Sequence, residues 1–442
     1  MPTPQGAVGT GPASTTAKGS YKWWVVFMLW FICFFNYADR QMIFSVFPVL
    51  EKEFGFDAVQ LGAIGSAFMW VYGFGAPFAG FIGDRVARKH LILGGCVFWS
   101  MVTFLTGHCT RLWHFVTVRA LEGFGETFYF PASMSLTSDY HSARTRSRAL
   151  SFHQSSVYVG TIFGSWLGAW LAVHYGWQTG FYLFGTLGMV LAIVLYRFLR
   201  EPQRGQAEGS AVPANSTQRL SWREVAPEIL RKPVALLLVA AFLGANLVAT
   251  VFLTWTATFL VKKFNFQLAW AGLSGTLFIH LASALSVPVG GLLADLWSRR
   301  FAGGRMLVQA IGLLGGAWFV FLVGSTREAP VLIGAMVVFG LCKGLYDSNI
   351  FASLFDVIDP RAMATGTGFM NFIGWGGGAL GPVAVGWVAK HGRHANQIDN
   401  MSEAISAGGI IYLVSGGLML TAAWLMGKQR KSLATPSHGK KA

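Results

Sequence analysis

Gly80-Phe81-Ile82-Gly83-Asp84-Arg85-Val86-Ala87-Arg88-Lys89 and Gly291-Leu292-Leu293-Ala294-Asp295-Leu296-Trp297-Ser298-Arg299-Arg300 follow one pattern: Gly, three residues, Asp, three residues, Arg, base. They stand 211 residues apart in a chain of 442, and each closes a long apolar run. A second correspondence joins Gly160–Gly164 (GTIFG) to Gly377–Gly381 (GGALG), offset by 217 residues. Two copies of one helical unit, related by an axis along a membrane normal, account for both matches.

Composition names the solvent of those helices. The chain is 53% hydrophobic and 12% charged, with 54 Gly, where soluble domains carry roughly a quarter charged residues. A spanning helix needs about 20 mostly apolar residues. Twelve runs qualify: 23–49, 59–82, 91–109, 113–138, 149–173, 177–199, 234–260, 268–296, 306–325, 330–356, 363–389 and 405–426. The expected fold is therefore all-α, with twelve transmembrane helices in two pseudo-symmetric six-helix bundles. The expected organisation is a disordered tail over 1–20, bundles over 21–199 and 233–427, a cytoplasmic loop over 200–232, and a basic tail over 428–442. In the loop, Ser221 three residues before Glu224 reads as a capping box, so a short surface helix is expected there. Trp23, Trp24, Trp166, Trp170 and Trp177 read as interfacial belt. Cys33, Cys96, Cys109 and Cys342 show neither a disulfide framework nor a metal spacing.

The net charge of +15 would suit nucleic acid if it lay on one surface, but it is sorted by side instead. With the N-terminus cytoplasmic, 24 of the 34 Lys and Arg fall in inner segments, 7 in outer segments and 3 inside spans. Positive charge marks the cytoplasmic face. Both termini are thus expected inside, in an inner (plasma) membrane, with lipid and no nucleic acid as surroundings.

The charges inside spans are expensive, about 2.5–3.5 kcal/mol each on insertion scales, and such groups normally line a cavity. They are Asp39, Arg40, Arg119, Glu122, Glu126, Lys343 and Asp347. Asn36, Tyr37 and Arg40 share a face of the first span. Arg119, Glu122 and Glu126 form a stripe on the fourth, at 100° per residue. Two guanidiniums and a phenol around one cavity suit an anion, since the guanidinium fork binds a carboxylate bidentately. A buried carboxylate whose arginine neighbour comes and goes is a natural proton carrier. The competing reading is fixed ion pairing between helices, strongest for Glu122 at i+3 from Arg119. At the 217-residue offset Glu126 maps to Lys343 and Gln154 to Asn371. Lys343 either holds a second carboxylate, competes with substrate for Glu126, or pairs with Asp347 at i+4. Gln154 and Asn371 are candidate hydroxyl-binding amides.

These stretches resemble the major facilitator superfamily, whose loop between the second and third helices carries Gly-x-x-x-Asp-Arg-x-x-Arg-Arg/Lys. The resemblance implies that Asp84, Arg85, Arg88, Asp295 and Arg299 latch the halves on the cytoplasmic side when the outside is open. Leu296 stands where the first copy has Arg85, which weakens the second latch. Asn36-Tyr37-x-Asp39-Arg40 with Arg119-x3-Gly123-x-Gly125-Glu126-x4-Pro131-Ala132 is similar to the anion:cation symporter family. That likeness implies substrate contact at Arg40, proton carriage at Asp39 and Glu126, and a carboxylate partner for Arg119. Spinster-like carriers share the Asp-Arg and Gly-x-Gly-Glu elements, so export of an amphipathic lipid or drug is the alternative. The expected function is proton-coupled symport of a small organic anion, such as a sugar acid, by a monomer without cofactor or metal. An intramembrane enzyme is disfavoured by the lack of a His-x3-His spacing, nucleophile elbow or phosphate loop.

Overall fold

The computed structural model describes residues 20–83, 86–202, 227, 229–359 and 363–434. Asp84, Arg85, the 1–19 tail, the Ser221/Glu224 capping box and residues 435–442 lie outside them. The helices are α1 (Tyr21–Ser45), α2 (Phe47–Phe54), α3 (Ala58–Gly83), α4 (Arg88–Thr106), α5 (Leu112–Thr127), α6 (Tyr129–Tyr140), α7 (Ala143–Tyr175) and α8 (Trp177–Phe198) in the first half. The second half holds α9 (Pro233–Phe264), α10 (Leu268–Ser298), α11 (Gly304–Ser325), α12 (Ala329–Asp347), α13 (Ile350–Phe355), α14 (Met363–His391) and α15 (Gln397–Ala434).

Among the described residues, ten helical segments are long and apolar enough to cross a membrane. The other two of the twelve spans, α1 and the α5–α6 pair, carry Asp39 and Arg40, and Arg119, Glu122 and Glu126. The first span breaks at Val46, because Pro48 has no N–H to return to the preceding turn. Pro131 does the same to the fourth span, which breaks at Phe128, two residues after Glu126. The tenth span, its repeat-mate, breaks between α12 and α13, directly after Asp347. Both spans thus bend beside an ionisable side chain.

The two halves repeat each other in detail. Pro77 in α3 and Pro288 in α10 stand at the 211-residue offset, each three residues before the repeated glycine. A Cβ on Gly160 would come within 2.5 Å of the Phe34 carbonyl oxygen, and one on Gly164 would meet the Ala38 backbone. At their partners by the 217-residue offset, a Cβ on Gly377 would meet the Leu243 side chain at 2.4 Å and one on Gly381 the Leu247 carbonyl oxygen of α9 at 2.8 Å. Small residues let helix backbones approach where lipid supplies no hydrophobic drive. Gly164→Val is therefore expected to lower stability by about 1–3 kcal/mol, the usual range for overpacking. Gly94, whose Cβ would meet nothing within 4 Å, is the control position. Equal melting temperatures of Gly164→Val and Gly94→Val in detergent would contradict the close approach.

The halves are joined by ion pairs on the face carrying residues 55 and 395. There Lys262 Nζ lies 2.6 Å from Glu51, and Lys390 Nζ lies 2.7 Å from Asp57. Asp57 also accepts from the Gln60 N–H and Gln60 Oε1 accepts from the Asp57 N–H, a reciprocal cap on α3. Partial burial disfavours the Asp57 carboxylate, but hydrogen bonds from Lys390 and Gln60 outweigh it and hold its pKa below the usual range. Deeper in the seam, Ser66 Oγ donates to the Ala379 carbonyl (2.5 Å) and Ser165 Oγ to that of Gly272 (2.8 Å). On the opposite face, the described partners of Arg88 are Asp139, Ser135, Glu201 (2.9 Å) and the Pro202 carbonyl (3.4 Å), none of them in the second half. Arg305 pairs with Asp356 (2.6 Å) and Asp295 (3.5 Å), again within one half.

Arg305 and Asp356 stand 217 residues after Arg88 and Asp139, so one Arg–Asp bridge recurs in both halves. Arg299, singled out by the motif, is exposed at the end of α10. Six more residues separate Asp295 from Arg305 than separate Asp84 from Arg88, so the symmetric arginine falls at Arg305. Trp177 also departs from its expected belt position, being 2% exposed and donating to Glu53 Oε2 (2.9 Å). Cys33, Cys96, Cys109 and Cys342 are free thiols.

Candidate functional site

A cavity of about 230 Å³ lies between the halves. Tyr37, Arg40, Gln154 and Lys343 all line it, as do Gln41, Tyr158, Asn246, His280, Asp347 and Trp375. Asp39, Arg119, Glu122 and Glu126 sit behind its wall, none more than 3% exposed. Asn371 is half-buried and outside the lining. Trp375, one turn further along α14, reaches the cavity instead, and Asn246 of α9 supplies a lining amide.

The first-half cluster is assembled by α1, α3 and α5. Glu126 Oε2 accepts from Arg40 Nη2 (2.5 Å) and Nε (3.0 Å). Four rings enclose the Arg40 guanidinium, with its carbon 4.5 Å from the centroids of Tyr37 and Phe68, 5.0 Å from Tyr72 and 5.7 Å from Trp375. Such faces attract a cation through the ring quadrupole, most strongly where water is excluded. Trp375 belongs to the second half, so Arg40 stands at the seam. Arg119 Nη1 bonds Glu122 Oε2 at 2.5 Å, one helical turn away. Its guanidinium carbon lies 4.7 Å from the Phe68 centroid. Phe68 thus lies against both guanidiniums, of which Arg40 lines the cavity and Arg119 does not. Asp39 Oδ2 accepts from Thr103 Oγ1 (3.4 Å).

Buried polar groups are normally paired, and this cluster is an exception. Among the described residues, Arg40 Nη1, Glu126 Oε1, Asp39 Oδ1, and Arg119 Nε and Nη2 have no hydrogen-bond partner. Three carboxyls face two guanidiniums, so the cluster is neutral only with one carboxyl protonated. In the second half, Lys343 pairs with Asp347 on the same helix and both also line the cavity. Pairing and cavity exposure, which the sequence left as alternatives, occur together.

Sequence reasoning missed Phe68, Tyr72, Trp375, Asn246, Tyr158 and His280. The aromatic residues were indistinguishable by composition from lipid-facing ones. His280 had a usable signal, as the lone imidazole in the eighth span.

Helices that repeat by halves around a charged central cavity define a secondary transporter fold. The chain belongs to the major facilitator superfamily, whose model matches residues 29–382. It is a multi-pass membrane protein of the transporter class. It is similar to "Sodium-dependent phosphate transport protein 1, chloroplastic" of Arabidopsis thaliana, 29% identical over 388 residues, covering 84% of this chain and 74% of the relative. It is also similar to "Probable galactarate/D-glucarate transporter GudP" of Escherichia coli (strain K12), 24% identical over 405 residues, covering 85% and 89%. Among solved structures it superposes on an inward-facing, unoccupied bacterial homolog of the human lysosomal transporter Spinster. The TM-score is 0.74 at 19% identity, covering 94% of this chain and 98% of that one, a likeness of fold.

Proposed function

We propose that this chain carries a small organic anion together with protons by alternating access, with both termini in the cytoplasm of an inner-membrane orientation. The observation that carries the reading is the Arg40–Glu126 pair at the cavity wall. Arg40 keeps its Nη1 amino group unpartnered in a site of low dielectric, where an incoming carboxylate gains a charge-assisted hydrogen bond. As the carboxylate engages Arg40, Glu126 loses its countercharge, and a buried carboxylate without one is favoured in its neutral form. Substrate arrival and proton uptake are thereby linked. The surplus of carboxyls over guanidiniums supports the same link, because net charge buried away from water is strongly disfavoured. Asp39 is the proposed second carrier. Arg88 and Asp295, with Asp84, Arg85 and Arg299, are the proposed cytoplasmic latch between the halves.

A second reading, export of an amphipathic lipid or drug, draws support from the apolar part of the cavity wall, formed by Phe252, Leu253, Ile279 and Phe339. One experiment separates the two. Purified protein in proteoliposomes is offered labelled sugar acids, phosphate and a lysolipid, under an imposed proton gradient or an imposed sodium gradient. Accumulation of a sugar acid under the proton gradient alone is expected. Transport of the lysolipid only, or dependence on sodium only, would overturn the reading.

A further inference from the structure

The Arg40–Glu126 pair leaves a second charged pair in the same cavity unexplained. Lys343 and Asp347 project from the tenth span, the repeat-mate of the span that carries Glu126. Lys343 is the pseudo-symmetric counterpart of Glu126 itself. We propose that Lys343 is a second anion contact that sets specificity, and that the preferred substrates are hydroxylated dicarboxylates held between Arg40 and Lys343. The inference rests on the anion-carrier reading above and adds to it the number of carboxylates.

Three observations carry it. First, the two cations line one cavity from opposite halves. A ligand with one anionic end reaches one of them. A ligand with two ends bridges both, and so gains by helping the halves close around it.

Second, the two ion pairs differ in access. Glu126 is sealed, with its side chain 0% exposed, whereas the Lys343 and Asp347 side chains are 20% and 33% exposed. The half-buried pair is held less tightly than a sealed one, because a higher local dielectric screens its attraction more. Asp347 can therefore yield Lys343 to a substrate carboxylate without leaving a charge buried in apolar surroundings.

Third, neutral groups in the same cavity lining suit hydroxyls. His280 Nδ1 lies 3.1 Å from the Thr276 carbonyl oxygen. A carbonyl only accepts, so Nδ1 carries the proton and Nε2 is left as an acceptor. Asn246 Nδ2 donates to the Phe242 carbonyl (3.1 Å), which leaves its amide oxygen to accept. Both residues line the cavity, with the Tyr158 hydroxyl between them in chemistry, able to donate or accept. A chain of hydroxyls matches these acceptors. A bare alkyl chain would leave them unpaired, which is how a hydrogen-bonding site rejects the analogue that lacks the group.

The alternative role for Lys343 and Asp347 is an i,i+4 pair that merely steadies α12. The two roles separate in selectivity. Counterflow in proteoliposomes compares D-gluconate with D-glucarate, which share a carbon chain and differ in having one or two carboxylates. The wild type is expected to half-saturate with glucarate at a concentration about tenfold or more below gluconate, the factor one modest charged contact supplies. Lys343→Gln is expected to weaken glucarate about tenfold more than gluconate, collapsing the ratio, and Lys343→Arg to restore it. Because the readout is a ratio within one preparation, a partly misfolded variant does not mimic the effect. Equal affinities in the wild type, or equal losses of both acids in Lys343→Gln, would overturn the inference while leaving the anion-carrier reading standing. Failure of the wild type to exchange either acid strikes that reading itself and carries this inference down with it.

Discussion

Proteoliposomes containing Glu126→Gln are expected to exchange substrate across the membrane yet fail to accumulate it against a gradient. The substitution keeps the shape and hydrogen-bonding capacity of the side chain and holds it permanently in the neutral form. In the wild type, Glu126 accepts two hydrogen bonds from Arg40 on one oxygen. It alternates, on the proposed mechanism, between that charged pair and a protonated state when substrate takes the guanidinium. The amide occupies the second state throughout, so Arg40 is permanently available and binding survives. The reset of the empty carrier no longer releases a proton, and uphill uptake loses its driving force. Accumulation driven by a proton gradient should fall by about tenfold or more, equivalent to at least 1.4 kcal/mol of lost coupling. Counterflow in the same vesicles should stay within a few-fold of wild type. Normal accumulation by Glu126→Gln would move the proton role to Asp39 or Asp347.

Arg40→Ala should remove binding altogether over the accessible concentration range. Truncating one partner of a buried, hydrogen-bonded charge pair costs about 2–5 kcal/mol, or roughly 30-fold to several thousand-fold in Kd. Arg40→Lys should fail nearly as badly. An ammonium has no planar fork with which to hold Glu126 on one side and a substrate carboxylate on the other. It also loses the stacking of a flat guanidinium on Phe68 and Tyr37, whose centroids lie 4.5 Å away. Isothermal titration of purified protein with its transported anion checks both variants. Wild-type affinity in Arg40→Ala would place the anion site elsewhere. The double variant Arg40→Ala/Glu126→Gln distinguishes loss of contact from harm done by an unpaired carboxylate, since it removes both charges.

The helices and their pairing into halves were legible because a membrane imposes its rules locally. About 20 apolar residues make a span wherever they occur, and backbone groups in lipid must be satisfied within the segment. The repeats at 211 and 217 residues, the glycine stripes of α7 and α14, and the in-span charges of α1, α5 and α12 are all properties of short stretches. So was the content of the Arg40, Tyr37 and Glu126 cluster, because an ionisable residue in a span is rare enough to be noticed singly.

Partnership was not legible in the same way. The stripe Arg119, Glu122, Glu126 fits one helix face, but a 100° periodicity cannot say which member meets another helix. In the folded chain Glu126 meets the arginine of α1, whereas Glu122 stays with Arg119 on its own helix. Asn371 and Trp375 lie one turn apart on α14, and only the axial position of that helix against α9 decides that the tryptophan lines the cavity. The motif nominated Arg299, whereas the bridge matching Arg88–Asp139 is made by Arg305 with Asp356, because six extra residues between the aspartate and the arginine displace the register. Chain periodicity carries the direction of a side chain along its own helix. Which side chain it meets depends on offsets between helices, set by glycine contacts and turn lengths acting together across the whole bundle.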